Sequence, residues 1–455
     1  MKQLIFQLGT NNWQRGDEFA PGSGILHECH HKALNELPET VAYSVYPSQT
    51  QTSNDPLVSI LQLPHEIPIC ESVSPVSSYR FHSMTEKEFD DFRALVGRFA
   101  AAEIARAEEA AGVAVTTAIA HHSFLNPLVL LDINRARAAA GLQTFQILCY
   151  VHGTALKMFA HEKRGVDPEY PPRFLPLMQE EGVFDPERGV DACAAISAEQ
   201  LDKIADVFPE FPRERMILSL NGYNQDVFKH KRYTSVERNR ILRSLKLAPS
   251  CVDPLPGRID SDPDAVVVFC GKFADWKRLD AVLEAAKRYE ESHNYATLII
   301  GSGPQDAIDH YHRMAYETLK LRNTWFLGPQ PQSEIARINA LADVGVYPSR
   351  NEPFGLVLVE CMATGTPVIG MNSGGPRDFV SDDVGVLLPE AEGAELSESL
   401  SEAIRQSISE SWKSSKGETA AAFAKERFSV SSQVSELMQD FDAITRKRTE
   451  VRRAS

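Results

Sequence analysis

Short apolar runs alternate with helix-patterned segments along nearly the whole chain, and this alternation limits the possible folds more than any other feature. LIFQL, VAYSVYP, VAVTTAIAHH and FQILCYVHG read as strands of the first half. Between them, ILHECHHKALNEL, the amphipathic stretch from Glu86 to Gly112, and PLVLLDINRARAAAG carry helical spacing. A second series opens near Met216 with MILSL, AVVVFCGKF, YATLIIGSG, NTWFLG, VGVYPS, PVIGM and GVLLP. Strand and helix in alternation imply parallel sheets covered by helices. The chain therefore reads as α/β, with two doubly wound, Rossmann-like domains. The Pro-rich FPEFPRER, near residues 208 to 215, marks their boundary. The domains are placed at 1–212 and 213–425, followed by a helix and tail at 426–455 that fray from about Arg446.

Within the second series, two carboxylates bracket the run Glu352-Pro-Phe-Gly-Leu-Val-Leu-Val-Glu360. ADVGVYPSRN before it reads as a buried strand that ends in a loop, and the segment after Gly355 as a helix that stops near Gly365. Phe354, Gly355 and Leu356 then offer backbone N–H groups at a helix N-terminus, which favours anions. Glu360 lies one turn beyond Leu356, on the same side. An anionic leaving group held by the amides, with Glu360 reaching its hydroxyls, is the ligand this pattern fits.

Gly271-Lys272 ends the strand AVVVFC, and Lys277 follows five residues on. Two ammonium groups at the carboxyl edge of a sheet could neutralise a diphosphate without a metal. Gly301-Ser-Gly303 is only a partial dinucleotide fingerprint, because Asp306 stands where the third Gly belongs. It reads as a tight turn on the ligand rim, and a Rossmann dehydrogenase is rejected. Gly22-Ser-Gly24 precedes a helix from about Ile25, where backbone could approach a phosphate. His152-Gly-Thr ends FQILCYV and could bond a sugar hydroxyl or stabilise charge. His121 and His122 end the preceding strand; with His152 they could bind metal, but no carboxylate or Cys stands at ligand spacing. Gly374-Gly375-Pro376-Arg377 reads as a turn that shapes the pocket opposite Glu352.

The formal net charge of −15 argues against sequence-independent nucleic-acid binding and against stable docking on anionic membrane. No apolar stretch approaches membrane-spanning length. Seven scattered Cys without a Cys-x-x-Cys pair read as reduced thiols of a cytoplasmic protein.

From about Met216 to Pro389 these residues resemble the retaining glycosyltransferases of the GT-B fold, family 4. The pattern runs through Asn221-Gly222, Gly271-Lys272, Lys277, GSGP, FLG, the Glu-x7-Glu run, TGTPVI and GGPRD. The resemblance implies two domains facing a central cleft, with a C-terminal helix returning to the N-terminal domain. It implies that Lys272 and Lys277 hold the donor diphosphate, although Lys272 stands where Arg is more usual and Arg278 where Gly often follows the Lys. Phe354, Gly355 and Leu356 would give amides to sugar and phosphate, Glu352 would contact the transferred sugar, and Glu360 the ribose. Gly22, Gly24 and Gly301 complete the donor set, and His152 joins Lys277 and Glu352 as catalytic. His152-Gly-Thr is similar to the motif of enzymes that glycosylate malate in bacillithiol synthesis, which implies a small soluble acceptor. The implied reaction is transfer, of a hexose for choice, from a nucleoside diphosphate sugar, with no metal and no other cofactor. Competing readings are a lipid-linked or polysaccharide acceptor, a nucleotide-sugar epimerase of the same fold, and a non-enzymatic sugar-nucleotide-binding protein.

Overall fold

In the computed structural model the first apolar run becomes β1 (Gln3–Leu8), which is buried from Leu4 onward. The structure describes residues 3–13, 22–68, 79, 81–152, 156, 159, 174–252, 259, 262–352 and 354–454. The chain divides into two compact units, Met1–Asn221 with Val430–Ser455, and Gly222–Ser429.

The first unit holds a seven-stranded parallel sheet in the order β3-β2-β1-β4-β5-β6-β7. Its strands are β1, β2 (Thr40–Ser48), β3 (Val58–Gln62), β4 (Val115–His121), β5 (Gln146–Val151), β6 (Ala192–Ala195) and β7 (Met216–Leu218). Parallel neighbours need crossovers, and helices supply them. The first is α1 (Gly22–Glu36), between β1 and β2. The second, α2 (Glu86–Ala111), starts at a reciprocal capping box of Thr85 and Glu88 and stops at Gly112, whose φ of 68° suits glycine. It buries Phe89, Phe92, Val96, Ala100, Ile104 and Ala107 at helical spacing. Each large side chain so buried contributes about 1.5–3 kcal/mol. The third, α3 (Leu125–Ala139), links β4 to β5. The chain's last helix, Val430–Ala454, packs Val430, Val434, Leu437 and Phe441 into the core that holds Ile5, Ile119 and Leu148.

The second unit holds a six-stranded parallel sheet in the order β10-β9-β8-β11-β12-β13. The strands are β8 (Ala265–Cys270), β9 (Tyr295–Ile300), β10 (Thr324–Gly328), β11 (Val344–Tyr347), β12 (Val368–Met371) and β13 (Gly385–Leu388). β8 and β9 are buried at every residue, as a strand covered on both faces must be. Strand order reverses between β1 and β4 in the first sheet and between β8 and β11 in the second. Ligands bind doubly wound sheets at such switch points, beyond the carboxyl ends of the strands.

Four expectations change. MILSL does not open the second unit: β7 pairs with β6 at the edge of the first sheet. The Pro-rich boundary is a short turn held by buried Arg215, which donates to the carbonyls of Asp191 (2.9 Å) and Pro186 (2.6 Å). β3 and β6 are strands that the apolar pattern does not announce. The last helix runs to Ala454 instead of fraying from Arg446, with Arg448 on Asp191 at 2.7 Å.

Candidate active site

Three loops build the site of the second unit. After β8 the chain turns through a short helical turn at Asp275–Lys277. Its position is fixed by backbone bonds: Gly271 donates to Ile300 at 3.0 Å and Phe273 to Ser302 at 2.9 Å. Gly301 has φ 143°, and a Cβ there would stand 1.8 Å from the Gly271 carbonyl oxygen. Only glycine permits that approach, so Gly301 acts by letting the β9 loop support the lysine loop.

The Arg350 amide donates to the Trp276 carbonyl at 2.7 Å, which ties the loop after β11 to the lysine turn. The result is a buried ion pair, Lys277 Nζ to Glu352 Oε2 at 2.5 Å. The ammonium also lies 4.2 Å from the Trp276 ring centre. An ammonium has three donors, so Lys277 can hold Glu352 and still reach an anion. Lys272, by contrast, is exposed.

Arg278 lies at φ 53°, ψ 44°, in the left-handed region. That conformation explains why the resemblance leads one to expect glycine at this place. Here the guanidinium is buried and bonds Glu390 at 3.0 Å. Partial burial tends to raise the Glu390 carboxyl, but bonds from Ser373 and Arg278 hold it below the ordinary range.

The third loop follows β12. Gly374 has φ 62°, and a Cβ there would meet the Glu352 carbonyl oxygen at 2.2 Å. Gly375 donates its amide to that same oxygen at 2.8 Å. This loop therefore sets the backbone of Glu352.

Beyond Glu352, Gly355 (φ 97°) caps the helix Leu356–Ala363, and Gly365 follows its end at φ 81°. Pro353 lies outside the described residues. The Phe354 ring is buried against Phe379 and Phe428, which anchors the loop. The first amides of the helix have no intrahelical acceptor, and its positive end favours an anion. Glu360 is buried one turn on, and desolvation raises its carboxyl to about 8. Such a group is mostly protonated at neutral pH and ionises when hydroxyl donors reach it.

The remaining candidates belong to the first unit. Gly22 and Gly24 do not precede α1; they form its first turn, where glycine is tolerated because these amides lack helical partners. His152 follows β5, half-buried, and Gly153 and Thr154 lie outside the described residues. His152 does not stand alone: its ring centre is 4.2 Å from that of His122, 5.4 Å from His27 and 5.7 Å from His121. His27 escaped notice because it sits on a helix, far along the chain from its partners. A histidine-rich first crossover, HECHH, was the one available signal.

Residues 258–422 match the family described as glycosyl transferases group 1. A D-inositol 3-phosphate glycosyltransferase of Corynebacterium aurimucosum is 36% identical over 129 residues, which cover 27% of this chain and 31% of that protein. The match thus spans about a third of that relative's length. Solved structures similar along nearly the whole chain include the following two. Sucrose-phosphate synthase from Thermosynechococcus elongatus has a TM-score of 0.63 at 16% identity, covering 98% of this chain and 100% of that one. Anabaena HepE in complex with UDP and glucose has a TM-score of 0.60 at 16% identity, covering 97% and 100%. The chain therefore has the GT-B fold, and the stretch that matches glycosyl transferases group 1, residues 258–422, lies within its second unit.

Proposed function

We propose that the protein is a retaining glycosyltransferase that moves a sugar from a nucleoside diphosphate sugar to a small soluble acceptor. The observation that carries this reading is the buried Lys277–Glu352 pair at the switch point of the second sheet, beside the N-terminus of the helix Leu356–Ala363. Lys277, Lys272 and the amides of Phe354, Gly355 and Leu356 face a diphosphate. Glu360 takes the ribose hydroxyls, and Glu352 takes the sugar. HepE, the structural neighbour solved with UDP and glucose, supports a uridine donor.

In the proposed step the bond from the anomeric carbon to the β-phosphate oxygen breaks, and the electron pair leaves with the diphosphate. The acceptor hydroxyl bonds the anomeric carbon from the same face and passes its proton to a phosphate oxygen. Charge grows on the diphosphate as the bond breaks, so fixed cations and amides there lower the barrier more than any other group. Lys272 and Lys277 fill the place of a divalent ion at the diphosphate. Gly22 and Gly24, in the first turn of α1, and His152, after β5, are the first unit's candidate contributors.

A small acceptor fits the surface of α2, whose exposed residues include Glu86, Glu88, Asp90 and Asp91. None of the described helices is long and apolar enough to cross a membrane.

The test is a thermal-shift screen against UDP-, GDP- and ADP-sugars, followed by turnover with the best donor. Stabilisation by one nucleotide class and slow donor hydrolysis without acceptor are expected. Donor turnover that interconverts sugar epimers without releasing nucleotide would instead make the protein an epimerase.

A further inference from the structure

The switch point of the first sheet is lined with imidazoles. His121 and His122 end β4, His152 follows β5, and His27 reaches in from α1. Ring centres of His27 and His121 are 3.9 Å apart. Both ring nitrogens of His27 and of His121, and Nε2 of His152, are buried without a hydrogen-bond partner among the described residues. Buried polar atoms in folded proteins are normally paired. Unpaired nitrogens converging from three separate elements need a common partner.

We propose that His27, His121 and His152 bind one divalent transition-metal ion of the zinc class, through one ring nitrogen each. One such atom from each residue lies within 4.8 Å of the other two. Ligand nitrogens of a tetrahedral zinc site stand about 3.4 Å apart, given a Zn–N bond of about 2.0–2.1 Å. A bound ion would draw the three rings together by that difference. Three neutral nitrogens without carboxylate oxygen suit zinc or cobalt and do not suit magnesium or calcium. Three protein ligands leave a fourth position for water or another ligand.

The frame beneath the site is held. The Gln7 amide donates to the His27 carbonyl at 3.0 Å, and Thr10 Oγ1 donates to the His121 carbonyl at 2.8 Å. His122 stands outside the group whose ligand atoms lie within 4.8 Å of one another, and its Nδ1 lies 2.8 Å from Thr10 Oγ1. Burial, with repulsion from neighbouring imidazoles, holds His27, His121 and His152 well below the ordinary histidine range. The bound ion would fix the orientation of His152. The inference does not rest on the transfer reaction, and its readouts are metal content and spectra.

The experiment strips the full-length protein with a chelator, removes the chelator, and titrates with Co²⁺ and then Zn²⁺. One equivalent of Co²⁺ with visible bands of low coordination number, displaced by one equivalent of Zn²⁺, is expected. His27→Gln should weaken binding by at least about 100-fold, while His30→Gln, which alters a neighbour outside the trio, should retain it. Absence of visible cobalt bands in the wild type, or unchanged affinity in His27→Gln, would overturn the proposal. If His27→Gln does not fold, X-ray absorption of the zinc-loaded wild type decides. A shell with three imidazole nitrogens supports the site, and an oxygen-only or thiolate-containing shell rejects it.

Discussion

Two sheets of similar build end in opposite chemistry at their switch points. In the second unit the loops after β8 and β11 bring a cation and a carboxylate to 2.5 Å beside a helix N-terminus. In the first unit the residues around β1, β4 and β5 bring together neutral imidazoles with unpaired nitrogens. The fold gives each sheet the same edge, and the side chains placed there decide the ligand. One edge suits an anion, and the other presents imidazole nitrogens without partners among the described residues.

The comparison breaks most readily at Lys277. Lys277→Ala should lower kcat/KM by about 100-fold or more, the scale of losing one charge-stabilising donor. It also leaves Glu352 buried without its partner, at a cost of about 3–5 kcal/mol. Thermal melts of Lys277→Ala and of Lys277→Ala with Glu352→Gln separate the two effects: the double variant should regain stability and stay inactive. Near-normal turnover in either would remove Lys277 from the mechanism.

Gly374→Ala sharpens the account of how Glu352 is held. The new methyl would meet the Glu352 carbonyl oxygen at 2.2 Å, and φ is 62°. A loss of about 1–3 kcal/mol is expected, with turnover falling although no ligand-facing side chain changes. A melt and a rate both equal to wild type would show that the loop does not constrain Glu352.

Glu360→Gln should weaken nucleoside diphosphate binding by about tenfold, the worth of one charged hydrogen bond. Its pH signature is independent of that loss. The folded carboxyl titrates at about 8, well above its ordinary 4.5, so the folded state holds a proton that the unfolded state has released between these values. Stability therefore falls as pH rises through that window. The wild type should lose stability relative to Glu360→Gln from about pH 5 to pH 8, as denaturant melts can follow. Parallel profiles would mean that Glu360 does not carry the raised value.

The smallest effect is expected at the acidic face of α2. Flotation with anionic liposomes at physiological salt should show no binding, because the acidic exposed side chains are repelled by the leaflet. Tight flotation would replace the soluble acceptor with a lipid-linked one.

Much of the second unit was legible because β8 to β13 are short apolar runs punctuated by Gly, Pro and Asn. The Glu-x7-Glu run could likewise be placed on a strand-to-helix loop, since Gly355 and Gly365 bound the helix. What could not be read was non-local. The Lys277–Glu352 bond joins residues 75 apart, through a backbone contact between Arg350 and Trp276. β6 is Ala-Cys-Ala-Ala, with little strand propensity, and it forms because β5 and β7 flank it. His27 carries helical spacing like any core residue, and only the fold brings it to His121.

Hydrogen exchange with and without a nucleoside diphosphate decides whether the second unit's loops hold the anion. The account predicts the strongest new protection at the amides of residues 354–356 and 271–277, with residues 118–122 of the first sheet little changed. Protection centred on residues 118–122, with none at 354–356, would contradict it.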